Sequence, residues 1–248
     1  MTESAFPSKF LSLLKRAERV MISTGAGIST ESGIPAFRGP DGLWENFKPE
    51  ELATPEAFQR DPKRVWAWYN WRRQKISEVE PNDGHRALVE MESIFPRMFL
   101  FTQNIDGLHQ RAGSKNVQEL HGSIWRVRCL KEKRTFESRQ TPFEEIPPHC
   151  ECGSLIRPDV VWFGESLPSD VLATAWQVAA NCDIFFLVGS SATVEPAASF
   201  AWIARENGAV VVEINDEITP VTEIANECLL GKSGILLPKL VKALRNHG

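Results

Sequence analysis

The run Arg19-Val-Met-Ile-Ser-Thr24 passes without a break into Gly25-Ala-Gly-Ile-Ser29. A short apolar run that stops at Gly-x-Gly reads as a buried strand entering a turn whose backbone must come close to something. Phosphate is the usual guest of such a turn. Gly25 and Gly27 carry no Cβ, so backbone N–H groups can face an anion, and a helix starting near Ser29 adds its positive end. A strand, turn and helix joined in this way belong at the carboxyl edge of a parallel sheet.

Taken alone, a Gly-rich turn is as often a plain tight turn as a ligand site. The dinucleotide spacing G-x-G-x-x-G is not met, because the next glycine is Gly33. Glu45 stands near the distance at which an acidic residue should end a second strand, but no strand leads into it. The rest of the chain supplies the context. Apolar runs predict further strands over 98–101, 117–120, 184–188 and 209–214. Helical spacing predicts helices over 7–16, 62–79, 85–94, 169–180, 196–207 and 238–246, with Thr54 capping another that has Pro55 at its first position. Strands alternating with helices predict an α/β fold with a doubly wound parallel sheet. Residues 123–158 break the alternation, being charged, proline-bearing and cysteine-containing, and read as an inserted module.

With 248 residues, 42% of them apolar, the chain can bury one large domain and a smaller module. A net charge of −4 and a pI near 5.8 leave no basic footprint, which argues against direct nucleic-acid binding. The longest apolar runs are strand-sized, so no membrane span is expected, and the N-terminus shows neither a secretory nor a transit pattern, which makes the cytoplasm the expected compartment. Oligomeric state is not legible. Of five cysteines, Cys129, Cys150 and Cys152 cluster, while Cys182 and Cys228 read as small buried apolar residues.

Several side chains are placed for chemistry. The strand over 98–101 ends at Thr102-Gln-Asn-Ile-Asp106, which sets Gln103, Asn104 and Asp106 beside the first glycine turn, where polar groups can read a ribose or an amide. His121 follows the next strand at the same crevice and is a candidate general base. Loop 37–44 carries large apolar side chains near a phosphate turn and reads as a lid. Trp66, Trp68, Tyr69 and Trp71 exceed what one buried helix face absorbs, so some of them should line a groove or interface. Tyr69 and Arg72, spaced i, i+3, could jointly receive a carboxylate, although a core Tyr beside a solvated Arg is the commoner arrangement. Residues 157–165 read as an extended segment whose edge could pair with a peptide.

Gly-Ala-Gly-Ile-Ser at 25–29, Phe-Arg-Gly at 37–39, Thr-Gln-Asn-Ile-Asp at 102–106, Leu-His-Gly at 120–122, Val-Val-Trp-Phe-Gly-Glu at 160–165 and Val-Gly-Ser-Ser at 188–191 together resemble the sirtuins, NAD-dependent protein lysine deacylases. The resemblance runs in order through nearly the whole chain. It implies a Rossmann-like part over about residues 1–37, 82–122 and 160–248, and a smaller module, partly helical and partly zinc-binding, over about 38–81 and 123–159. NAD is the implied cofactor and acylated lysine peptides the implied partners. By the same resemblance His121 is the general base, with Asn104 beside it in the catalytic set. Gly25, Ala26, Gly27, Phe37, Arg38, Gln103, Asn104, Ile105 and Asp106 hold the phosphate and nicotinamide-ribose side of NAD; Gly189, Ser190, Ser191, Asn215 and Ser233 hold the adenosine side. Val161, Phe163, Gly164 and Glu165 meet the peptide. Ala53 with Tyr69 and Arg72 resembles the branch that prefers succinyl and malonyl groups over acetyl.

Sirtuins usually hold one structural zinc with four cysteines in two pairs. Here Cys129-Leu-Lys-Glu132 keeps one cysteine of the first pair, and the second cluster reads His149-Cys150-Glu-Cys152. Cys129, Cys150 and Cys152 with His149 can bind zinc tetrahedrally, as can the three with a carboxylate such as Glu132, whereas a module packed by other means needs no metal. Two other readings stay open. One is transfer of ADP-ribose to protein; the other is a module that binds NAD or ADP-ribose without turnover.

Overall fold

The computed structural model describes residues 6–37 and 42–247, without the side chain of Trp44. Arg38 and half of the expected lid, residues 38–41, therefore lie outside the described residues; beyond them Leu43–Asn46 is a single helical turn.

Among the described residues nine strands follow in chain order: β1 (Arg19–Thr24), β2 (Arg97–Thr102), β3 (Val117–Glu119), β4 (Gly122–Cys129), β5 (Thr135–Glu137), β6 (Ile156–Val160), β7 (Ile184–Val188), β8 (Val210–Asn215) and β9 (Glu227–Leu230). Six form a parallel sheet in the order β3-β2-β1-β7-β8-β9. The chain builds outward from β1 to one side, then returns to build outward on the other, so the strand order reverses between β1 and β7. That reversal opens a crevice at the carboxyl ends of the strands.

Period-two burial explains the double winding. Val20 and Ile22 of β1 pack into one core with the helices Ser8–Lys15, Asp83–Ile94 and Ser233–Asn246. Met21, facing the other way, packs with Ser169–Asn181 and Ser199–Glu206. Phe186 and Phe185 of β7 divide in the same manner. A strand buried on both faces reads as a nearly continuous apolar run, interrupted here by the buried Ser23 and Thr24 at the end of β1, and each apolar side chain contributes about 1.5–3 kcal/mol.

Helix starts are set by caps visible in the sequence. The Thr54 hydroxyl accepts the Ala57 N–H at 3.1 Å and Asp61 accepts the Arg64 N–H at 2.9 Å, each just before a proline at the first helical position. The last helix departs from expectation, running from Ser233 to Asn246 with Pro238 inside it. Its true start is fixed by Glu31, whose carboxylate accepts the Gly234 N–H at 2.6 Å across 203 residues, a cap with no local signature. The edge strand β9 alternates half-buried and exposed positions and so offers no apolar run to read. Cys228 lies on it and is exposed, unlike Cys182, which is buried.

The segment read as an inserted module because it breaks the alternation of strands and helices carries most of the second sheet, antiparallel in the order β5-β4-β6. Its charges mask the strand pattern. Arg126 and Arg128 share one face of β4 and are matched by Asp159 on β6, so the face is charged yet paired. The opposite face carries Val127 and Cys129 into a core shared with Trp66, Tyr69 and Ile76 of the Pro62–Ser77 helix. Arg73 clamps this assembly. Its buried guanidinium donates to the carbonyls of Ile124, Ser138 and Gln140 and lies between the rings of Trp125 and Phe143. Burial lowers its pKa to about 10, which leaves it charged at neutral pH. Among the described residues no helix is long and apolar enough to cross a membrane.

Candidate active site

A cleft of about 830 Å3 runs between the crevice of the parallel sheet and the smaller module. Gly25, Ala26, Gly27, Phe37, Gln103, Asn104, Ile105, His121, Gly189, Ser190, Ser191 and Asn215 line one part of it. Ala53, Tyr69, Arg72, Val161, Phe163, Gly164 and Glu165 line the other. Asp106 does not reach the surface of the cleft and is buried. Ser233 lines a smaller adjoining hollow with Gly27, Gly189 and Asn215.

The two glycine turns interlock. Gly25 N–H donates to Val188 O at 3.0 Å and Gly27 N–H to Gly189 O at 2.8 Å, so these two donors hold the neighbouring strand turn instead of facing an anion. A Cβ on Gly25 or Gly27 would fall 2.7–2.8 Å from Gly189 O, and one on Gly189, whose φ is +58°, would fall 2.4 Å from Ile28 N. The helix after the turn, Gly27–Thr30, starts two residues earlier than expected and lasts one turn. Close backbone approach thus defines this end of the cleft, leaving Ala26 on its surface.

Behind the turn lies a chain of buried polar groups. Asn104 Nδ2 donates to Gly25 O at 3.0 Å and to Ser29 Oγ at 3.3 Å, while Ser29 Oγ donates to Asp106 at 2.8 Å. Burial raises the Asp106 pKa, opposed by the Leu108 N–H and Ser29 O–H bonds. Thr24 Oγ1 donates its one hydrogen to Thr102 Oγ1, which also accepts the Asn104 N–H. His109 Nε2, 2.9 Å from Thr24 Oγ1, must therefore carry the proton of that contact. On the far side of the crevice Gln103 donates to Ser190 Oγ at 3.0 Å and Asn215 to Ser190 O at 2.8 Å.

His121 is half-buried, and its Nδ1 lies 2.9 Å from Gln103 O. A carbonyl only accepts, so Nδ1 carries the hydrogen and Nε2 keeps its lone pair. Burial lowers the His121 pKa, opposed by the bond to Gln103, so the ring is neutral at pH 7.

The opposite end is built from large side chains. Arg72 is 5% exposed, with its guanidinium 4.7 Å from the Phe37 ring centroid and 5.2 Å from that of Trp68. Its Nη1 has no hydrogen-bond partner among the described residues. Burial lowers its pKa, opposed by the nearby Tyr69 and Asp106. The Tyr69 hydroxyl accepts the Trp162 indole N–H at 2.9 Å, and burial pushes the phenol pKa up to about 12. Trp68 and Tyr69 are the members of the aromatic surplus that face the cleft, whereas Trp66 is core and Trp71 is 39% exposed.

The extended segment is less open than its sequence suggests. Val161 N–H donates to His121 O, Phe163 N–H to Ala53 O, and Trp162 N–H to the Glu165 carboxylate, which is also gripped by Arg157 at 2.6 and 2.7 Å. Glu165 therefore braces the segment. Glu165 N–H in turn donates to Trp162 O at 3.0 Å, so the backbone donors of Val161, Trp162, Phe163 and Glu165 are already engaged within the chain.

The metal-ligand set needs correcting at one position. Ligand atoms of Cys129, Glu132, Cys150 and Cys152 all lie within 4.8 Å of one another. Tetrahedral zinc–thiolate geometry puts sulfurs about 3.8 Å apart; Cys129 and Cys152 Sγ are 3.5 Å apart, and Cys150 Sγ is 3.8 Å from Glu132 Oε2. The set fits zinc. His149 stands outside it, exposed and paired with Glu145 at 3.5 Å, because alternation along the chain turns it away from its neighbour Cys150. None of the four ligands lines the cleft.

Ser29, Thr24, Thr102, His109 and Trp162 have structural roles at the site that no local pattern announces, since each acts through a partner far along the chain. Thr193 to Glu195, Asp216 to Pro220 and Lys232 also line the cleft, from loops after β7 and β8 and the start of the last helix.

Residues 25–196 match the model of the Sir2 family. The NAD-dependent protein deacylase of Aquifex aeolicus (strain VF5) is 56% identical over 227 residues, covering 91% of this chain and 95% of its own length. A solved Sir2 homologue, a point mutant complexed with ADP-ribose, superposes with a TM-score of 0.93 at 45% identity, covering 97% of each chain. A Sir2 homologue in complex with NAD superposes with a TM-score of 0.91 at 46% identity, covering 98% of this chain and 95% of that one.

Proposed function

The chain belongs to the Sir2 family, and from that premise we propose that it is an NAD-dependent protein-lysine deacylase that prefers succinyl and malonyl groups over acetyl. One observation carries the preference: Arg72 is a buried guanidinium whose Nη1 has no partner among the described residues. Asp106 is near enough to favour the charge but does not bond Nη1, and leaving a buried charged donor unbonded is costly, so a site that accepts the cost is suited to an anion arriving from outside. Tyr69, one helical turn back, is a neutral phenol beside it, and Ala53 occupies little space at the same wall. A carboxylate at the far end of an acyl chain would satisfy Arg72. An acetyl group would leave it bare.

NAD fits the other end. The interlocked glycine turns bring two strand ends together at the floor of the cleft, and the buried Ser233 Oγ, a polar atom with no partner among the described residues, lies in the adjoining hollow with Gly27, Gly189 and Asn215. When bound, NAD supplies the electrophilic ribose carbon and the nicotinamide leaving group. The protein's part is positional and acid–base. His121 Nε2, neutral and held in one tautomer by Gln103 O, keeps its lone pair free and would act as the base for a ribose hydroxyl proton. Asn104, its amide nitrogen anchored to Gly25 O and Ser29 Oγ, keeps its carbonyl oxygen as an acceptor that would help hold the ribose. Asp106 orients Ser29 and the residues that follow it. Phe37 and Ile105 exclude water from the reacting end. Acylated lysine enters past Val161, Phe163 and Gly164. Zinc held by Cys129, Glu132, Cys150 and Cys152 would fasten the module that carries the acyl end, without touching the chemistry.

NAD-dependent nicotinamide release from matched succinyl-, malonyl- and acetyl-lysine peptides tests this reading. Acidic peptides are expected to give the higher kcat/KM. Arg72→Met should lower their kcat/KM by roughly 10- to 150-fold, the worth of a charge-assisted hydrogen bond, while sparing acetyl peptides. Faster acetyl turnover by the wild type would reject the preference and keep the deacylase.

A further inference from the structure

We propose that Trp162 is a positioning residue for acyl specificity: its indole N–H holds the Tyr69 phenol as a donor aimed at the distal carboxylate of the acyl group. The inference rests on the acidic-acyl reading above. An indole nitrogen can only donate, and a phenol carries one hydrogen and two lone pairs. With Trp162 Nε1–H donating to Tyr69 Oη at 2.9 Å, the phenol cannot donate back to Trp162, and its own hydrogen remains for another acceptor. The nearest charged neighbour on the same helix face is Arg72, itself a donor only. Two buried donors therefore line one end of the cleft, and among the described residues neither the Tyr69 hydroxyl hydrogen nor Arg72 Nη1 has an acceptor.

Trp162 is fixed firmly enough to set this direction. It is 3% exposed, the Arg157 guanidinium lies 3.4 Å from its ring centroid, and Phe58 packs at 5.3 Å. Its backbone N–H is held by Glu165, and Arg157 closes the loop by gripping the same carboxylate with two bonds. Arg157, Glu165 and Trp162 thus form a brace whose outward contact is the Tyr69 hydroxyl. Phenylalanine at this position could keep the packing and lose the donor, leaving the phenol free to rotate and the acyl carboxylate without a fixed second partner.

The test is kcat/KM for matched succinyl- and acetyl-lysine peptides with the wild type, Trp162→Phe, Tyr69→Phe and the double variant, each checked by thermal melting. Trp162→Phe is expected to lower succinyl kcat/KM about 5- to 10-fold, chiefly through KM, while acetyl stays within about 2-fold. Because both residues act through one hydroxyl, the double variant should fall no further than the worse single one. An equal fall on both peptides, or additive losses, overturns the proposal. A wild type that prefers acetyl removes the acidic-acyl reading and the proposal with it; a wild type that prefers succinyl, with an unchanged ratio in Trp162→Phe, overturns the proposal alone. Should Trp162→Phe not fold, the indole 15N–1H spectrum decides. Among the eight tryptophans, one indole resonance should move in Tyr69→Phe, and the same one should move when succinyl peptide is added to the wild type. No shared resonance would overturn it.

Discussion

The two ends of the cleft are made of different materials. At the crevice end the walls are backbone and small uncharged polar groups: interlocked glycine turns, Asn104, Ser29, Ser190 and Asn215. At the module end they are a buried guanidinium and large rings: Arg72, Tyr69, Trp68 and Trp162. A backbone wall is set by strand geometry and tolerates no added atom. A side-chain wall is set by packing and can be retuned one residue at a time. In a reaction with one fixed co-substrate and a variable acyl group, the rigid wall suits the first and the adjustable wall the second.

The sharpest way to break this contrast uses two glycines that share a positive φ. Gly189 has φ +58° and a would-be Cβ 2.4 Å from Ile28 N; Gly164 has φ +86° and open space around its would-be Cβ. Gly164→Ala should cost about 1–2 kcal/mol, the strain of a left-handed residue, and leave ADP-ribose binding unchanged. Gly189→Ala adds a backbone clash and should abolish ADP-ribose binding by calorimetry, or destabilise the chain by more than about 3 kcal/mol in urea unfolding. Equal effects would mean that backbone approach does not define the crevice end.

The same contrast explains what the sequence makes legible. β1, β7 and β8 are buried on both faces, so their apolar runs read directly, and the glycines after β1 and β7 mark the switch point without knowledge of any partner. Gln103, Asn104 and His121 follow strands, and parallel topology alone brings them to one crevice. The module end depends on contacts that span the chain: Trp162 on Tyr69 across 93 residues and Arg73 on Gln140 across 67; at the crevice end the Glu31 cap, 203 residues from the helix it starts, is hidden in the same way. None of these has a local period. The antiparallel sheet is hidden from a pattern reading because its exposed face is charged and self-paired. His149 resembles a ligand only by its nearness to Cys150 in sequence, and nearness does not fix which way a side chain faces.

A smaller effect should follow metal removal. Cys129 and Cys150 share a core with Tyr69 and Trp162, while the crevice residues belong to the parallel sheet. We expect about one zinc per chain by metal analysis, and less in Glu132→Ala, which removes the oxygen ligand. Chelation should loosen the module and raise the KM for succinyl peptide about 10-fold, yet leave ADP-ribose affinity within about 2-fold. If ADP-ribose binding fell as far as peptide binding, the two walls would not be independent.

The subtlest test is the acid limb of the pH profile. His121 sits at the seam of the two walls, and its lowered pKa comes first from burial, with the Gln103 carbonyl acting against it. A base must be unprotonated to work, so activity should hold from neutral pH down past the ordinary histidine value near 6.5 and be lost only as pH falls through the lowered value. The measurement is kcat/KM for nicotinamide release from succinyl peptide between about pH 5 and 8, with the ascending midpoint expected below about 6.5. Loss of the burial should undo the shift: Ile105→Ala, which removes a buried apolar side chain from the cleft lining that also includes His121, ought to move the midpoint up toward about 6.5. Arg72→Met changes the other wall and should leave the midpoint where it is. A midpoint that follows Arg72 instead would mean that charge at the module end, and not burial at the seam, tunes the base.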